Sequence, residues 1–174
     1  AVMGVSHFLE HMMFKGTETR TAEDVNREFD DLGANHNAFT TTEITAYYAH
    51  VPFDALDDSL DILADILRPS LRTEDFDEEK GVILEEIAMY DDQPFWVLFE
   101  QGLERYFGDH QLAHRVLGTK QTVADLRPEQ MRTYFDRRYS ADNSVLVASG
   151  RIDFDHLVAR AEALCGHWPK GELG

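Results

Sequence analysis

The sequence predicts an α+β protein, because amphipathic helical segments outnumber extended ones. Two extended segments lie between residues 35 and 51, and a third covers residues 144–149. Three strands are too few for a parallel α/β sheet. The 174 residues contain no linker, repeat or low-complexity segment, and their number suits one domain with a substantial core. We therefore predict a single domain over residues 1–174.

Capping and stop residues set the bounds of the helices. Thr21, with Asp24 three residues later, has the pattern of a helix N-cap, and Gly33 is the stop of the same helix. Pro128 suits the first position of another helix. The predicted helices cover residues 5–14, the segment between Thr21 and Gly33, residues 54–67, 74–91 and 96–107, a short stretch before Arg127, and residues 128–138 and 153–165.

The extended segments differ in character. Residues 35–51 are extended on either side of the polar residues 41–43, which predicts a hairpin. The apolar run at residues 144–149, followed by Gly150, predicts a buried strand.

Composition excludes several classes of partner. Sixteen Lys and Arg face 33 Asp and Glu, for a net charge of −17, so nucleic acid and anionic membrane surfaces are excluded as predicted partners. No apolar run approaches the about 20 residues that span a bilayer. The single Cys165 excludes an internal disulfide, and it lies in an apolar helical stretch that predicts a small buried side chain. The chain opens on Ala1 without a signal peptide, so we expect it to be cut at this end.

The segment His7-Phe8-Leu9-Glu10-His11 places two imidazoles four positions apart and a carboxylate just before the second. At about 100° per residue, His11 lies about 40° from His7 and Glu10 about 60° to the other side, so all three share one helix face. Two imidazoles at this spacing can bind one zinc at about 2.0–2.1 Å, and the carboxylate can take a proton from a zinc-bound water. The pattern also arises by chance, so the prediction depends on a third ligand.

Glu86 is the strongest candidate for that ligand. It lies on the core-facing side of the predicted helix 74–91, and a carboxylate there is unfavourable unless it is paired or bound to a metal. Glu85 is turned by about 100°, so we expect water to surround it. Glu79 lies two turns earlier on the same side as Glu86. The apolar residues expected around Glu86 are Phe76, Val82, Ile83 and Tyr90.

These motifs resemble those of the pitrilysin family of zinc peptidases, the inverzincins with an inverted zinc motif. The likeness lies in Gly4-Val-Ser-His-Phe-Leu-Glu-His-Met-Met-Phe-Lys-Gly-Thr17 and in the distal Val82-Ile-Leu-Glu-Glu-Ile87. It is strongest to the bacterial processing-protease branch, which is related to the mitochondrial processing peptidase β subunit.

The resemblance implies a zinc metalloendopeptidase with one Zn²⁺ per chain. His7, His11 and Glu86 would bind the zinc, Glu10 would be the general base, and Glu79 matches a further catalytic carboxylate of the family. The segment Gly33-Ala-Asn-His-Asn-Ala-Phe-Thr40 resembles the edge strand to which the cleaved peptide adds. It implies contacts from Asn37, Ala38 and Phe39 to an extended peptide substrate; the alternative is an ordinary turn into a hairpin.

The family fold is an antiparallel sheet with helices packed mainly on one face, and we adopt it. The family's first strands and its second homologous half match nothing in this sequence, so we expect the N-terminal half of an enzyme that needs a second half-domain or partner subunit. We expect the isolated chain to be weakly active or inactive. An unpaired sheet edge favours self-association, including a homodimer. The compartment stays open between the bacterial cytoplasm and the periplasm, for a soluble protein.

The loop from His110 to Thr119 resembles the family's loop after the zinc helix. We expect it to be structural, with His110 and His114 at the surface.

Two alternatives remain. A metal lyase of the autoinducer-synthesis type also uses His-x-x-Glu-His, but its third ligand is a Cys, and the only Cys of this chain, Cys165, lies far downstream. A non-catalytic subunit, as in the respiratory-complex core proteins of the same superfamily, usually loses motif residues, whereas this chain keeps all four.

Overall fold

The structure, a computed structural model, describes residues 2–171 and confirms the α+β class. Strands β1 (Asn35–Thr40) and β2 (Thr45–His50) pair as a two-stranded antiparallel sheet. The helices are α1 (Val5–Met13), α2 (Ala22–Asp31), α3 (Leu56–Ile66), α4 (Thr73–Asp91), α5 (Pro94–Phe107), α6 (Lys120–Asp125), α7 (Pro128–Arg138) and α8 (Phe154–Cys165).

The capping signals act as the sequence indicates. The Thr21 hydroxyl accepts a hydrogen bond from the backbone N–H of Asp24 at 3.1 Å, and the Asp24 carboxylate accepts one from the backbone N–H of Thr21 at 3.0 Å. This capping box starts α2. Pro128 begins α7 as predicted. Helix α5 starts at Pro94, two residues before the predicted start, because the fixed φ of proline suits the first helical position.

The predicted strand at residues 144–149 is wrong. These residues are not part of a sheet, and Val145 and Val147 are 87% and 80% exposed. A strand needs a neighbour to take up its backbone hydrogen bonds, and among residues 2–171 the only sheet is the β1–β2 pair. The run has the apolar composition of a strand, but composition does not supply a second strand to pair with.

The described chain divides into two compact units. The first comprises the residues up to Met12, Ala38–Ala46 and Leu71–Met131. The second comprises Met13–Asn37, Tyr47–Ser70 and the residues from Arg132 onward.

The core of the first unit joins α1 to α4. The Phe8 ring stacks on the Phe76 ring with centroids 4.7 Å apart, and both side chains are almost fully buried. Lys80 of α4 donates hydrogen bonds from Nζ to the backbone carbonyls of Ala124 and Leu126, at 2.9 and 2.7 Å, and so ties α4 to the C-terminal end of α6. These contacts hold the two helices that carry the motif residues.

The core of the second unit joins α2 and α3 to the sheet. A buried cluster of Val25, Phe29, Ile62 and Ile66 packs against Tyr47 and Ala49 of β2, among other apolar residues. In β1, His36 stacks on Phe29 with ring centroids 4.1 Å apart. Helices therefore pack on one face of the hairpin, as the family fold predicts. None of the described helices is long and apolar enough to cross a bilayer.

Candidate metal centre and catalytic residues

The start of α1 is fixed by a close approach of two glycines in the first unit. Gly4 and Gly118 have φ values of +89° and +77°, in the region that favours glycine. A Cβ on Gly4 would lie 2.6 Å from the Leu117 carbonyl oxygen, and one on Gly118 would lie 2.8 Å from the Met3 carbonyl oxygen. The loop before α6 is therefore structural, as predicted, and its His110 and His114 are exposed.

The loop before α6 also contacts α4 and α5 of the first unit. The Arg115 guanidinium lies 3.1 Å from the Asp91 carboxylate at the end of α4 and 2.7 Å from the Glu100 carboxylate of α5. The loop therefore lies against the start of α1, which carries His7, Glu10 and His11, and contacts α4, which carries Glu79 and Glu86.

Helix α1 presents its three polar motif residues as predicted. His7 and Glu10 are buried, and His11 is half-buried. Phe8 and Leu9 are fully buried and anchor the opposite side of the helix. The 3.6-residue period therefore separates an apolar anchoring face from a polar one.

Helix α4 differs in part from the prediction. Glu79 is buried, Glu86 is half-buried, and Glu85 is exposed as expected. Val82, expected beside Glu86 in the core, is 49% exposed. The buried face of α4 is centred on Phe76, Glu79, Ile83 and Ile87, so Glu86 lies at its edge. The prediction that Glu86 lies in the middle of the apolar stripe was therefore wrong, although its contrast with Glu85 holds.

His7, His11 and Glu86 each offer one ligand atom, and the three atoms all lie within 4.8 Å of one another. The Glu86 Oε2 atom is 3.6 Å from His7 Nε2 and 3.7 Å from His11 Nε2. Oε2 is buried and has no hydrogen-bond partner, and the same is true of His7 Nδ1. A buried carboxylate oxygen without a partner is unfavourable, so Glu86 Oε2 suits a cation placed between the three side chains. The unpartnered Nδ1 of His7 is the other ring nitrogen and does not face Glu86.

Glu79 orients one of these imidazoles. Its Oε1 lies 2.7 Å from His11 Nδ1, so Nδ1 carries the hydrogen and donates it to the carboxylate. The lone pair of His11 then lies on Nε2, the nitrogen that faces Glu86. A carboxylate that fixes the tautomer of a ligand histidine in this way is a common feature of metal sites.

Burial and neighbouring charges shift the pKa values of the titratable groups of the site in different directions. Burial, and then the charge of His11, lower the pKa of His7 to about 4, so His7 is neutral near pH 7. Burial opposes protonation of His11 as well, but the hydrogen bond and charge of Glu79, with the charges of Glu86 and Glu10, raise its pKa. Burial raises the pKa of Glu86, against the attraction of His11. Three carboxylates thus surround two imidazoles, which leaves the cluster short of positive charge.

The sequence did not single out Thr40, which contacts Glu10. The Thr40 hydroxyl donates a hydrogen bond to Glu10 Oε2, and its Oγ1 is 3.1 Å from Thr45 Oγ1. Strand alternation places Thr40 on the inward side of β1, but a contact between a strand end and α1 is a tertiary fact that no local pattern predicts.

The predicted substrate-binding residues lie on both faces of β1. Asn37 and Phe39 are exposed, while Ala38 is half-buried, as the two-residue period of a strand requires.

Cys165, expected to be buried, is half-buried, and burial raises the pKa of its thiol.

Comparisons with known proteins agree with this geometry. Residues 1–120 match the family described as Insulinase (Peptidase family M16), and residues 125–174 match the family described as Peptidase M16 inactive domain. A protein of Rickettsia felis named an uncharacterized zinc protease is 40% identical over 170 residues, which are 97% of this chain and 41% of that protein. The chain thus spans about two fifths of that relative's length.

Solved structures share the fold. A protease from Helicobacter pylori matches with a TM-score of 0.93 at 20% identity, over 98% of this chain and 42% of that one. The periplasmic protease PqqL from Escherichia coli matches with a TM-score of 0.86 at 26% identity, over 99% of this chain and 20% of that one. Since the family match alone covers more than half of the sequence, the resemblance seen in the motifs is confirmed, and the chain belongs to peptidase family M16, the insulinase family.

Proposed function

We propose that this chain is the zinc-binding, catalytic domain of a metalloendopeptidase that hydrolyses peptide bonds of extended peptides with a zinc-activated water. The observation that carries the proposal is the grouping of His7, His11 and Glu86 around a buried carboxylate oxygen that has no hydrogen-bond partner. Two imidazoles and one carboxylate are a ligand set of catalytic zinc sites, in which the fourth position stays open.

The distances support this assignment. Tetrahedral ligands at about 2.0–2.1 Å from a zinc ion lie about 3.4 Å from one another. Glu86 Oε2 lies 3.6 and 3.7 Å from the two Nε2 atoms, and all three ligand atoms lie within 4.8 Å of one another. The acidic surround of the cluster suits a divalent cation.

The residues of the chain divide the chemistry between them. When bound, zinc polarises the peptide carbonyl and lowers the pKa of a coordinated water to about 7. Glu10 takes the proton of the attacking water and passes it to the leaving amine. Glu79, predicted as catalytic, we assign to holding His11 in the tautomer that binds metal, since its hydrogen-bond distance to Nδ1 is 2.7 Å.

We place the substrate along β1, with Asn37, Ala38 and Phe39 as contacts. A peptide added to an edge strand gains backbone hydrogen bonds and places alternate side chains on each face. The exposed Asn37 and Phe39 and the half-buried Ala38 have that alternation.

We further propose that turnover requires a second, homologous half, fused or as a separate subunit. Zinc and base polarise and attack one bond, but oxyanion stabilisation and substrate positioning are also needed. The chain spans about two fifths of the Rickettsia felis relative, so there is length in such a protein for the remaining groups. A homodimer is an alternative source. Nucleic acid and membranes are not proposed as partners because of the charge of −17. The bacterial relatives, one of them periplasmic, favour the bacterial cytoplasm or periplasm as compartment.

Metal analysis of variants tests the ligand set. The wild-type chain should bind one zinc, Glu86→Ala should lose it, and Glu85→Ala, which changes the exposed neighbour, should keep it. Loss of zinc from Glu85→Ala alone would reverse the assignment of the two carboxylates. A wild-type chain that binds no zinc would instead support a non-catalytic subunit.

Turnover tests the base and the second half. In the full-length protein, Glu10→Gln should keep its zinc but lose about 10²–10⁴-fold in turnover of an unstructured peptide, the usual contribution of a general base. The isolated chain with matched zinc should have little turnover, and mixing it with the remaining half should restore some. Equal turnover of the isolated chain and the full-length protein contradicts the need for a second half.

A further inference from the structure

We propose that Thr40 is a positioning residue that fixes the carboxylate of Glu10 in its working orientation, and that Thr45 in turn fixes Thr40. The inference rests on the proposed function, because it assigns a role through the base Glu10. Its basis is a row of three polar side chains in the first unit. The Thr40 hydroxyl donates to Glu10 Oε2, and the Oγ1 atoms of Thr40 and Thr45 are 3.1 Å apart.

The direction of these hydrogen bonds follows from the chemistry of the groups. An ionised carboxylate only accepts hydrogen bonds, so the Thr40 hydroxyl must donate its hydrogen to Glu10. A hydroxyl has one hydrogen, which leaves Thr40 able only to accept from Thr45. Thr45 therefore donates to Thr40, and Thr40 donates to Glu10. Thr45 keeps the Thr40 hydrogen directed at the carboxylate.

The hairpin gives these hydroxyls fixed positions. Thr40 is the last residue of β1 and Thr45 the first of β2, on either side of a turn closed by a 2.7 Å hydrogen bond from Thr41 N–H to the Ile44 carbonyl. Both threonines are half-buried, and β-branching restricts χ1 to few rotamers. The carboxylate of the base is thus held by strand ends and not by a flexible loop.

Fixing Oε2 has a consequence for the reaction. Glu10 is only 9% exposed, and Thr40 donates to Oε2, so we assign Oε1, the oxygen that Thr40 does not engage, to receive the proton of the attacking water. A carboxylate held close to the geometry of proton transfer loses less entropy in reaching it. Outer groups that orient the ligands of metal sites typically contribute about 10- to 100-fold, and we expect the lower end of this range for a group that orients the base.

A purely structural role makes the opposite prediction for two conservative changes. Opposed threonines can simply stabilise a hairpin as a cross-strand pair. Valine suits a strand better than serine does, so a structural role favours Thr40→Val over Thr40→Ser in both stability and activity. The positioning role requires the hydroxyl, so it favours Thr40→Ser over Thr40→Val in turnover.

The experiment compares these variants in the zinc-loaded full-length protein, with kcat, KM and zinc content measured on an unstructured peptide. Thr40→Val should lose about tenfold or more in kcat with KM within about twofold and zinc unchanged, and Thr40→Ser should restore most of the kcat. Thr45→Val should act in the same direction with a smaller loss. Thr42→Val makes the same chemical change at an exposed position of the turn and should have wild-type kcat.

A Glu10→Gln background separates the two hypotheses. If Glu10→Gln retains wild-type turnover, the proposed base is wrong and the failure belongs to the proposed function. If Glu10→Gln shows its expected loss of turnover while Thr40→Val keeps its kcat, or while the serine and valine variants lose it equally, the positioning role alone is overturned. If Thr40→Val adds no loss in the Glu10→Gln background, its effect passes through the Glu10 carboxylate as proposed.

Discussion

Each unit holds a cluster in which basic side chains meet several carboxylates, and the two clusters differ in how their polar atoms are paired. In the second unit, Arg20 joins α2 to α3. Its Nε lies 2.7 Å from Glu28, and its other two nitrogens lie 2.7 Å from Asp61 and 3.0 Å from Asp65. Thr17 donates a further hydrogen bond to Asp65 at 2.7 Å. In the first unit, by contrast, Glu86 Oε2 and His7 Nδ1 are buried with no hydrogen-bond partner.

The effects on charge differ in the same way. Burial opposes the charge of Arg20, but its hydrogen bonds to Glu28, Asp65 and Asp61 raise its pKa and so favour the ionised form. Burial raises the pKa of Glu86 and so disfavours its ionised form until a cation is near. A cluster that satisfies its own charges stabilises the fold, whereas one with leftover buried acceptors has a place for a ligand.

The presence of a cleft, taken alone, would favour the paired Arg20 cluster over the candidate metal centre as a binding site. A surface cleft of about 520 Å³ in the second unit is lined by Arg20 together with Asp61, Asp65, Arg68 and Trp168. The guanidinium of Arg68 lies 4.0 Å from the Trp168 ring centroid and donates from Nη1 to the Tyr139 carbonyl at 2.9 Å. The buried atoms of this cleft that have no hydrogen-bond partner are Nε and Nη2 of Arg68. They are donors and cannot bind a cation, unlike the unpartnered carboxylate oxygen of Glu86 in the candidate metal centre.

Replacing Arg20 should break the paired cluster and give the largest loss of stability. Arg20→Met leaves three carboxylates without their cation, and we expect a loss of about 2–3 kcal/mol in the free energy of unfolding. This is below the about 3–5 kcal/mol of a fully buried pair, because Asp61 is 42% exposed. Urea denaturation of the metal-free chain measures the change, and zinc affinity should stay as in the wild type.

Arg27→Met is the matched control for this prediction. Arg27 pairs with Asp24 at 2.6 Å on the surface of α2 and is 55% exposed, so its removal should change the free energy of unfolding much less than removal of Arg20 does. Equal losses from the two variants would mean that the Arg20 cluster is no more structural than an ordinary surface pair.

Replacing Glu79 tests the cluster of the first unit, the candidate metal centre. In Glu79→Gln a neutral amide faces His11 Nδ1, so the tautomer that binds metal is held less firmly. We expect zinc affinity to fall about 10-fold, at the lower end of the effect of such outer groups, measured by competition with a chelator. Glu78→Gln changes an exposed neighbour and should leave the affinity unchanged. Unchanged affinity with lost turnover in Glu79→Gln would restore the direct catalytic role that the sequence predicted.

The helix faces on which the candidate site residues lie can be predicted from the sequence, because one helix decides that geometry. The 100° step of a helix places His7, Glu10 and His11 on one face and separates Glu86 from Glu85 with no knowledge of the fold. It does not predict the exposure of Val82, which depends on what packs against α4.

Features that depend on a partner element were missed for the same reason. The hydrogen bond from Thr40 to Glu10 joins a strand end to a helix 30 residues earlier, and no periodicity carries that information. The run at residues 144–149 has strand composition, but strand formation is a property of a pair, and the described residues provide no second strand beside it.

The smallest effect that we predict concerns a half-buried imidazole, His36, which has no role in the metal centre. Burial lowers its pKa below the ordinary 6.5, with the charge of Asp30 opposing, and its ring stacks on Phe29 in the second unit. The unfolded chain therefore binds this proton at a higher pH than the folded chain does. His36 reduces stability as the pH falls from about 6.5 through its folded pKa, and it has no effect above that window.

His36→Phe keeps a stacked ring without a titrating group. We expect the free energy of unfolding of the variant relative to wild type, from urea titrations with chelator between about pH 5 and pH 8, to rise toward low pH. Because His7 and the carboxylates titrate in both proteins, the difference isolates His36, and a difference independent of pH would contradict the prediction.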